Sequence, residues 1–308
     1  MRKSYYIVLT SLVAALALSF GACKKAEKEG TAETAGVSGT IQVKGSDTLL
    51  MLSQRWAEAF MAENPGAVVE VTGGGSGVGI KALIDGSTDV CNASRPMKDE
   101  EIKEAAGKGV NPLEIRVALD GIAIIVHKDN PVNELTMAQL GDIYVKDGKS
   151  KDWKRVGGKA GKIMCYGRQS SSGTYDYFKE HVLAKKDYRP DVQELTGTAL
   201  LCDAVAKDKN GIAYVGVGYA MKRTDVKILA LKKDDKAPAV KPEPAAVADN
   251  SYPLSRYLFN YTNGKPKGVA RAFIAFALAP EGQKIVEEVE YIPLPAGVPD
   301  TELAKINK

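Results

Sequence analysis

The sequence predicts an α/β fold, and three observations support this prediction. Short runs rich in β-branched residues, at 41–43 and 68–71, have the composition of strands. Apolar residues at helical spacing follow the first run and predict a helix with one buried face: Leu49, Leu52, Trp56 and Phe60. Residues 117–126 are almost continuously apolar, as in buried parallel strands. This alternation of strands and helices is typical of helices packed on a sheet.

The middle of the chain continues the same pattern. Residues 163–166 are predicted to form a strand, which a loop and a helix over 174–183 follow. Another strand is predicted at 211–215. Residues 232–250 are rich in Lys, Asp, Pro and Ala without any periodicity, and they are predicted to form a surface loop.

The last third of the chain is predicted to add one strand and two helices. The strand covers 252–261, and the helices cover 269–278 and 281–286. Pro280 separates the two helices because proline cannot lie inside a regular helix. The sequence contains no internal repeat. We therefore expect a two-lobed protein, since the chain is long enough for two cores.

The N-terminus has the features of a signal peptide over residues 1–22. Two basic residues precede the apolar stretch 5–20, and small residues precede Cys23. The segment Ser-Phe-Gly-Ala-Cys, residues 19–23, resembles a bacterial lipobox, in which the cysteine is lipidated, although Phe20 replaces the usual aliphatic residue. We expect a lipid anchor on Cys23, with ordinary cleavage as the alternative. Residues 23–39 are polar and are predicted to form a flexible tether.

Charge and cysteine content exclude several classes of partner. The formal net charge is +4, and two of these charges belong to the signal peptide, so the mature chain gives no indication of a nucleic-acid partner. Three further cysteines lack CxxC spacing, which predicts no zinc site, whereas a disulfide between Cys165 and Cys202 stays open. No later apolar run is as long as a membrane span, so we expect a soluble mature domain.

Three strand-to-helix junctions are built from Gly, Ser and Thr, at 45–48, 73–77 and 168–174. Each junction puts free backbone N–H groups and a hydroxyl at the positive end of a helix. One such junction is an ordinary N-cap. Three junctions with glycines that let a ligand approach, one of them containing Arg168, together predict a cradle for an oxyanion.

The usual catalytic motifs do not fit these junctions. Val78 stands where a nucleophile elbow around Ser76 needs glycine, and Ile143 stands where a Walker A loop ending at 148–150 needs one. The glycines at 73–79 also miss the GxGxxG register. The two histidines, His127 and His181, are predicted to lie at the solvent edge. We therefore expect neither an enzyme nor a metal or other cofactor.

From about residue 40 to 295 the chain resembles the phosphate-binding receptors of Pst-type ABC importers. The residues that carry the resemblance are Gly45–Thr48, Gly73–Gly77, Ala93–Pro96, Asp120–Gly121, Arg168–Thr174, Tyr252–Arg256 and Glu281–Gln283. The resemblance implies the type II periplasmic binding-protein fold, in which each of two lobes is a mixed sheet flanked by helices and the ligand lies in the cleft between them. Lobe 1 would comprise residues 40–119 and 251–308, and lobe 2 residues 120–250.

The resemblance also implies which residues bind phosphate: Thr48, Leu49, Ser76, Arg95, Asp120, Arg168, Ser172, Gly173 and Thr174. Arg95 stands where some members carry an aspartate, so it either contacts phosphate or pairs with Asp120 or Asp47. Asp120 would give selectivity, because a carboxylate can accept a hydrogen bond from a protonated phosphate oxygen, whereas sulfate has no proton to donate. The alternative for Asp120 is that it only neutralises an arginine.

The expected function is that of an extracytoplasmic, membrane-anchored lipoprotein that captures inorganic phosphate as a monomer. The permease subunits of an ABC importer would receive the ligand, and closure of the two lobes would favour this docking. A receptor for sulfate, molybdate or tungstate is the alternative within the same class. A secreted enzyme acting on phosphate esters, or a surface interaction protein, is the alternative from another class.

Overall fold

The computed structural model describes residues 36–307. The predicted signal peptide, the lipidation site at Cys23 and most of the predicted tether lie outside the described residues. In this part of the chain no helix has both the length and the apolar character needed to cross a bilayer.

Ten strands and ten α-helices alternate along the described residues. The strands are β1 (Gly39–Gly45), β2 (Ala67–Thr72), β3 (Val90–Ala93), β4 (Pro112–His127), β5 (Glu134–Thr136), β6 (Met164–Arg168), β7 (Gln193–Leu195), β8 (Gly211–Gly216), β9 (Val226–Lys232) and β10 (Ser255–Asn263). The helices are α1 (Leu50–Glu63), α2 (Ser76–Ile84), α3 (Asp99–Gly107), α4 (Met137–Tyr144), α5 (Gly173–His181), α6 (Thr198–Lys207), α7 (Pro244–Ala248), α8 (Gly268–Leu278), α9 (Pro280–Glu288) and α10 (Val298–Asn307).

The strands form a mixed sheet in the order β2-β1-β3-β10-β4-β8-β6-β7, with β9 beside β4 and β5 beside β9. Strand β1 is parallel to β2 and β3, whereas β10 is antiparallel to β3 and β4. The long strand β4 pairs with β10 through residues 112–121 and with β8 and β9 through residues 122–127. It therefore belongs to both halves of the sheet.

The apolar run 117–126 is buried as predicted, but its strand neighbours are antiparallel rather than parallel. Side chains on the two faces of β4 enter different cores: Ile122, Ile124 and Val126 join the largest cluster, and Ala123 and Ile125 join another. Because successive strand residues point to opposite faces, a strand covered on both faces is apolar throughout, whatever the direction of its neighbours.

Helix α1 confirms the predicted amphipathic stripe. Leu52, Trp56 and Phe60 are buried, and the Phe60 ring meets the edges of Phe273 and Phe276 on α8 at 5.7 and 5.8 Å between centroids. The Trp56 indole N–H donates to the Gly282 carbonyl oxygen at 2.8 Å, so its polar atom is also satisfied. Burial of each such side chain contributes about 1.5–3 kcal/mol.

Two C-terminal predictions are refined. Pro280 separates α8 from α9 as predicted, and it forms the first turn of α9, where its missing N–H costs nothing. The segment 232–250 is not entirely a loop, because Pro244 begins the short helix α7 and Val247 anchors it in the core. A five-residue helix is too short to show the apolar periodicity on which the loop prediction rested.

The two histidines have different environments. His181 is exposed on α5, as predicted. His127 is buried at the end of β4, where its Nδ1 accepts the Asp129 backbone N–H at 3.1 Å, so its predicted place at the solvent edge is wrong. Among residues 36–307 no group of His, Cys, Asp and Glu side chains is arranged to hold a metal ion.

The cysteines of the described region are free and buried, so no disulfide joins Cys165 to Cys202. The Cys165 thiol faces the Ile143 carbonyl oxygen at 3.8 Å, and the Cys202 thiol faces the Tyr219 carbonyl oxygen at 3.7 Å. Burial raises the pKa of Cys165 to about 12 and that of Cys202 to about 11.

We expect both thiols to resist alkylation at pH 8 in the folded protein and to react fully in denaturant, because the thiolate is the reactive species. Mass spectrometry of residues 24–308, which lack Cys23, would count the alkylated thiols in each condition. If the native protein had a mass two hydrogens lower than that of the reduced protein, it would contain a disulfide, and the prediction of free thiols would be wrong.

Candidate anion-binding site

The three junctions predicted from the sequence meet in one buried cluster of hydroxyl groups. Thr48 Oγ1, before α1, lies 3.0 Å from Thr174 Oγ1 on α5. Ser76 Oγ, at the start of α2, lies 3.2 Å from Ser94 Oγ and accepts the Ser94 backbone N–H at 3.0 Å. All four residues are buried. We call this cluster of Thr48, Ser76, Ser94 and Thr174 the hydroxyl cradle.

Gly173 brings the third junction into contact with the other two. A Cβ atom added to it would overlap Ser76 Oγ and lie 2.6 Å from Ser94 Oγ, so only glycine permits this approach. Ser172, the N-cap of α5, accepts the Thr174 and Tyr175 backbone N–H groups at 3.2 and 3.4 Å. The Leu49 amide donates to the Ser46 carbonyl oxygen at 3.1 Å, so this predicted ligand group is engaged in a local turn.

Arg256 on β10 is a cation that contacts the hydroxyl cradle, and it was not among the predicted site residues. Its Nη2 donates to Thr174 Oγ1 at 3.0 Å and lies 3.5 Å from Thr48 Oγ1, while Nη1 donates to the Ser94 carbonyl oxygen at 2.9 Å. The sequence did contain a signal for Arg256, because it is a basic residue within a predicted strand of Tyr, Leu and Phe. A charged side chain that is buried in such a strand needs a partner.

That partner is Asp120, which lies opposite Arg256 in the register of β4 with β10. Asp120 Oδ2 accepts Arg256 Nη2 at 2.7 Å and Nε at 3.0 Å, and its Oδ1 accepts the Val217 backbone N–H at 3.0 Å. Burial raises the pKa of the Asp120 carboxyl group, and Arg256 opposes that effect. The pair gives the cradle directional donors without a net charge.

Arg168 lies at the end of β6 and joins the first junction to the third. Its Nη2 donates to Asp47 Oδ2 at 2.5 Å, and its Nη1 donates to Thr198 Oγ1 at 2.9 Å. Asp47 in turn accepts the Gly74 backbone N–H at 2.8 Å, which connects the second junction as well. Arg168 is almost fully buried, and burial lowers its pKa.

Arg95 pairs with neither Asp120 nor Asp47, so that one of its two expected roles is wrong. Its Nη1 and Nη2 bind both carboxylate oxygens of Glu101 at 2.8 and 2.7 Å, and its Nε donates to Asp176 Oδ2 at 2.8 Å. A further bond runs from Nη1 to the Pro96 carbonyl oxygen. Arg168 and Arg256 already occupy Asp47 and Asp120, so Arg95 pairs with the acidic residues of α3 and α5.

Comparison with known proteins identifies the family. A model described as the PBP superfamily domain matches residues 30–281. The phosphate-binding protein PstS of Pseudomonas aeruginosa PAO1 is 37% identical over 289 residues, which cover 89% of this chain and 89% of that protein. The chain belongs to the PstS family of the PBP superfamily. PstS of Staphylococcus saprophyticus is 36% identical, and the match covers 96% of this chain and 91% of that protein.

Solved structures of phosphate transport receptors share the fold. A phosphate ABC transporter substrate-binding protein from Clostridium perfringens, crystallised with bound phosphate, has a TM-score of 0.74 at 30% identity and matches 83% of this chain and 100% of that chain. An ABC-type phosphate transport receptor from Vibrio cholerae has a TM-score of 0.67 at 27% identity, with 83% and 100% covered. The predicted binding-protein fold, a mixed sheet flanked by helices, is therefore confirmed.

Proposed function

We propose that this PstS-family chain is an extracytoplasmic receptor that binds inorganic phosphate and delivers it to the permease of an ABC importer. The observation that carries the proposal is the hydroxyl cradle with Arg256, where donors from three separate junctions meet without an unbalanced charge. Such donors match a small tetrahedral oxyanion. The names of the Pseudomonas, Clostridium and Vibrio relatives point to phosphate and to ABC transport.

The proposed ligand set keeps the predicted Thr48, Ser76, Asp120, Ser172, Gly173 and Thr174, and it adds Ser94 and Arg256. Asp47 and Thr198 hold Arg168, which would add its remaining donors from the side. Arg95 is left out because its guanidinium group is bound to Glu101 and Asp176.

The proposed motion follows from the path of the chain. Residues 40–119 with 251–308 would form lobe 1, and residues 120–250 would form lobe 2, joined where β4 changes its partners between Gly121 and Ile122. Contacts such as Thr48 to Thr174 would form only on closure, so a ligand that binds both lobes would favour the closed state. A lipid at Cys23 would keep this monomeric receptor at the membrane.

A calorimetric titration of residues 24–308 tests the proposal, after phosphate carried through purification has been removed by unfolding and refolding. We expect phosphate to bind and sulfate to be rejected. A protein that binds neither anion, or that binds sulfate as tightly as phosphate, would overturn the assignment. Hydrolysis of a chromogenic phosphomonoester would instead favour the enzyme alternative.

Asp120→Asn is expected to weaken phosphate binding and to relax the rejection of sulfate. A carboxylate has about four lone-pair sites, and Arg256 and Val217 fill three of those of Asp120, which leaves one for a proton of phosphate. At neutral pH phosphate carries such a proton and sulfate does not. We expect the ratio of phosphate to sulfate affinity to fall about tenfold or more, the loss of one charge-assisted hydrogen bond.

Paired titrations of both anions measure this ratio in the wild type and the variant. Glu302→Gln is a matched control, because Glu302 is also a fully buried carboxylate bound to an arginine but lies on α10 and pairs with Arg116. We expect the control to keep the wild-type ratio. An unchanged ratio in Asp120→Asn would remove Asp120 from selectivity and leave it as the partner of Arg256 alone.

A further inference from the structure

A second ionic cluster lies beside the hydroxyl cradle and joins two elements that the cradle also joins. Arg95 follows Ser94 directly in the segment between β3 and α3, and Asp176 follows Thr174 by two residues in the first turn of α5. Arg95 Nε lies 2.8 Å from Asp176 Oδ2, and Lys98 Nζ lies 3.1 Å from Asp176 Oδ1. The Arg95 side chain is 6% exposed and that of Asp176 is 18% exposed.

We propose that the Arg95–Asp176 ion pair, which we call the clasp, is a positioning contact that slows the release of phosphate. This inference rests on the proposed function, since it assigns the clasp to the same closing movement. Asp176 is anchored in the helix whose N-terminus supplies Ser172, Gly173 and Thr174. The clasp therefore ties the third junction to the residue next to Ser94 without contacting the anion itself.

The clasp acts selectively on the closed state because of how its charges are distributed. Arg95 binds Glu101 with two parallel hydrogen bonds, and both residues belong to the β3–α3 region, so this pair persists when α5 moves away. Asp176 takes both of its cations, Arg95 and Lys98, from that region. In an open form Asp176 would no longer contact either cation, and water would solvate all three charged groups. The attraction between these groups therefore favours only the closed state.

The surroundings of the clasp agree with a role at the edge of the cleft. A cavity of about 730 Å³ opens beside it, lined among others by Lys98, Tyr177, Lys179 and His181. Asp176 also lies at the N-terminal end of a helix, where the helix dipole favours a carboxylate. The clasp is shielded enough to contribute more than an exposed pair, yet it is close enough to water to open and close.

The test is the rate at which radiolabelled phosphate leaves the protein into excess unlabelled phosphate, using residues 24–308. We expect Asp176→Asn to release phosphate about tenfold faster, within the usual range of coupling between a contact and a binding site. The association rate should stay unchanged, because the clasp forms only after the anion has entered. Rejection of sulfate should also stay unchanged, because the clasp does not contact the ligand.

Asp187→Asn is the matched control. Asp187 pairs with Lys179 of α5 at 2.9 Å, but both residues belong to the region 173–187, so closure does not change that pair. We expect the control to release phosphate at the wild-type rate. In a double-mutant cycle, Arg95→Gln is combined with Asp176→Asn. We expect the double variant to release phosphate no faster than the faster of the two single variants.

Two results would separate failure of the clasp from failure of the proposed function. If Asp176→Asn binds phosphate and releases it at the wild-type rate, the proposed role of the clasp is wrong and the receptor function stands. If the wild-type chain binds no phosphate, the receptor function itself fails. Should Asp176→Asn fold poorly, Lys98→Met removes the more exposed cation of Asp176, and we expect it to raise the release rate about twofold.

Discussion

Arg256→Met is expected to lower phosphate affinity about a hundredfold and to lower the free energy of unfolding by about 3–5 kcal/mol. The side chain supplies the donors that Thr48, Thr174 and Ser94 face, so its loss removes the charge-assisted bonds of the cradle. It would also leave Asp120, which is fully buried, with only the Val217 N–H as a donor. An uncompensated buried carboxylate is the larger part of the stability cost.

Calorimetry and urea unfolding of the same preparations would measure the two effects. The double variant Arg256→Met with Asp120→Asn should regain much of the lost stability, because no buried charge is then left alone, but it should not regain phosphate binding. Arg116→Met is a matched control, since Arg116 lies on the neighbouring strand β4 and its loss breaks the 2.6 Å pair with Glu302 on α10. It should cost stability and leave the affinity unchanged. Wild-type affinity in Arg256→Met would show that the cradle binds without this cation.

Local patterns predicted most of the fold because they depend on neighbours in sequence. The stripe on α1, the burial of 117–126 and the break at Pro280 each follow from residues a few positions apart. The direction of the strands beside β4 does not follow in this way. Its antiparallel partners β8, β9 and β10 lie far along the chain, and a strand buried on both faces has the same composition in either arrangement.

The same distinction separates the parts of the site that could be predicted from those that could not. Gly, Ser and Thr at helix starts are local signals, and the structure brings the three junctions together. The partners of the arginines are not local. Arg256 meets Asp120 through the register of two strands that lie 136 residues apart, and Arg95 is held by Asp176, which lies 81 residues away. One sequence can show which charges are present but not how they pair across the fold.

Gly173→Ala is expected to weaken phosphate binding about tenfold to a hundredfold without destabilising the protein in the absence of phosphate. An added Cβ would overlap Ser76 Oγ and lie 2.6 Å from Ser94 Oγ, so the closed arrangement would have to strain or separate. Overpacking of this kind costs about 1–3 kcal/mol. In an open form the same methyl group would meet neither serine, and alanine favours the helix by about 1 kcal/mol over glycine.

The two effects of Gly173→Ala therefore have opposite signs, and this separates a closure defect from general damage. The backbone at Gly173 does not adopt a positive φ, so alanine introduces no strain of its own. Gly107→Ala on α3 is a matched control, because a Cβ there meets nothing within 4 Å and the backbone is also free of positive φ. Calorimetric affinity and thermal unfolding with and without phosphate would measure both variants. If Gly173→Ala bound phosphate as tightly as Gly107→Ala, then α5 would not close over the anion against Ser76 and Ser94.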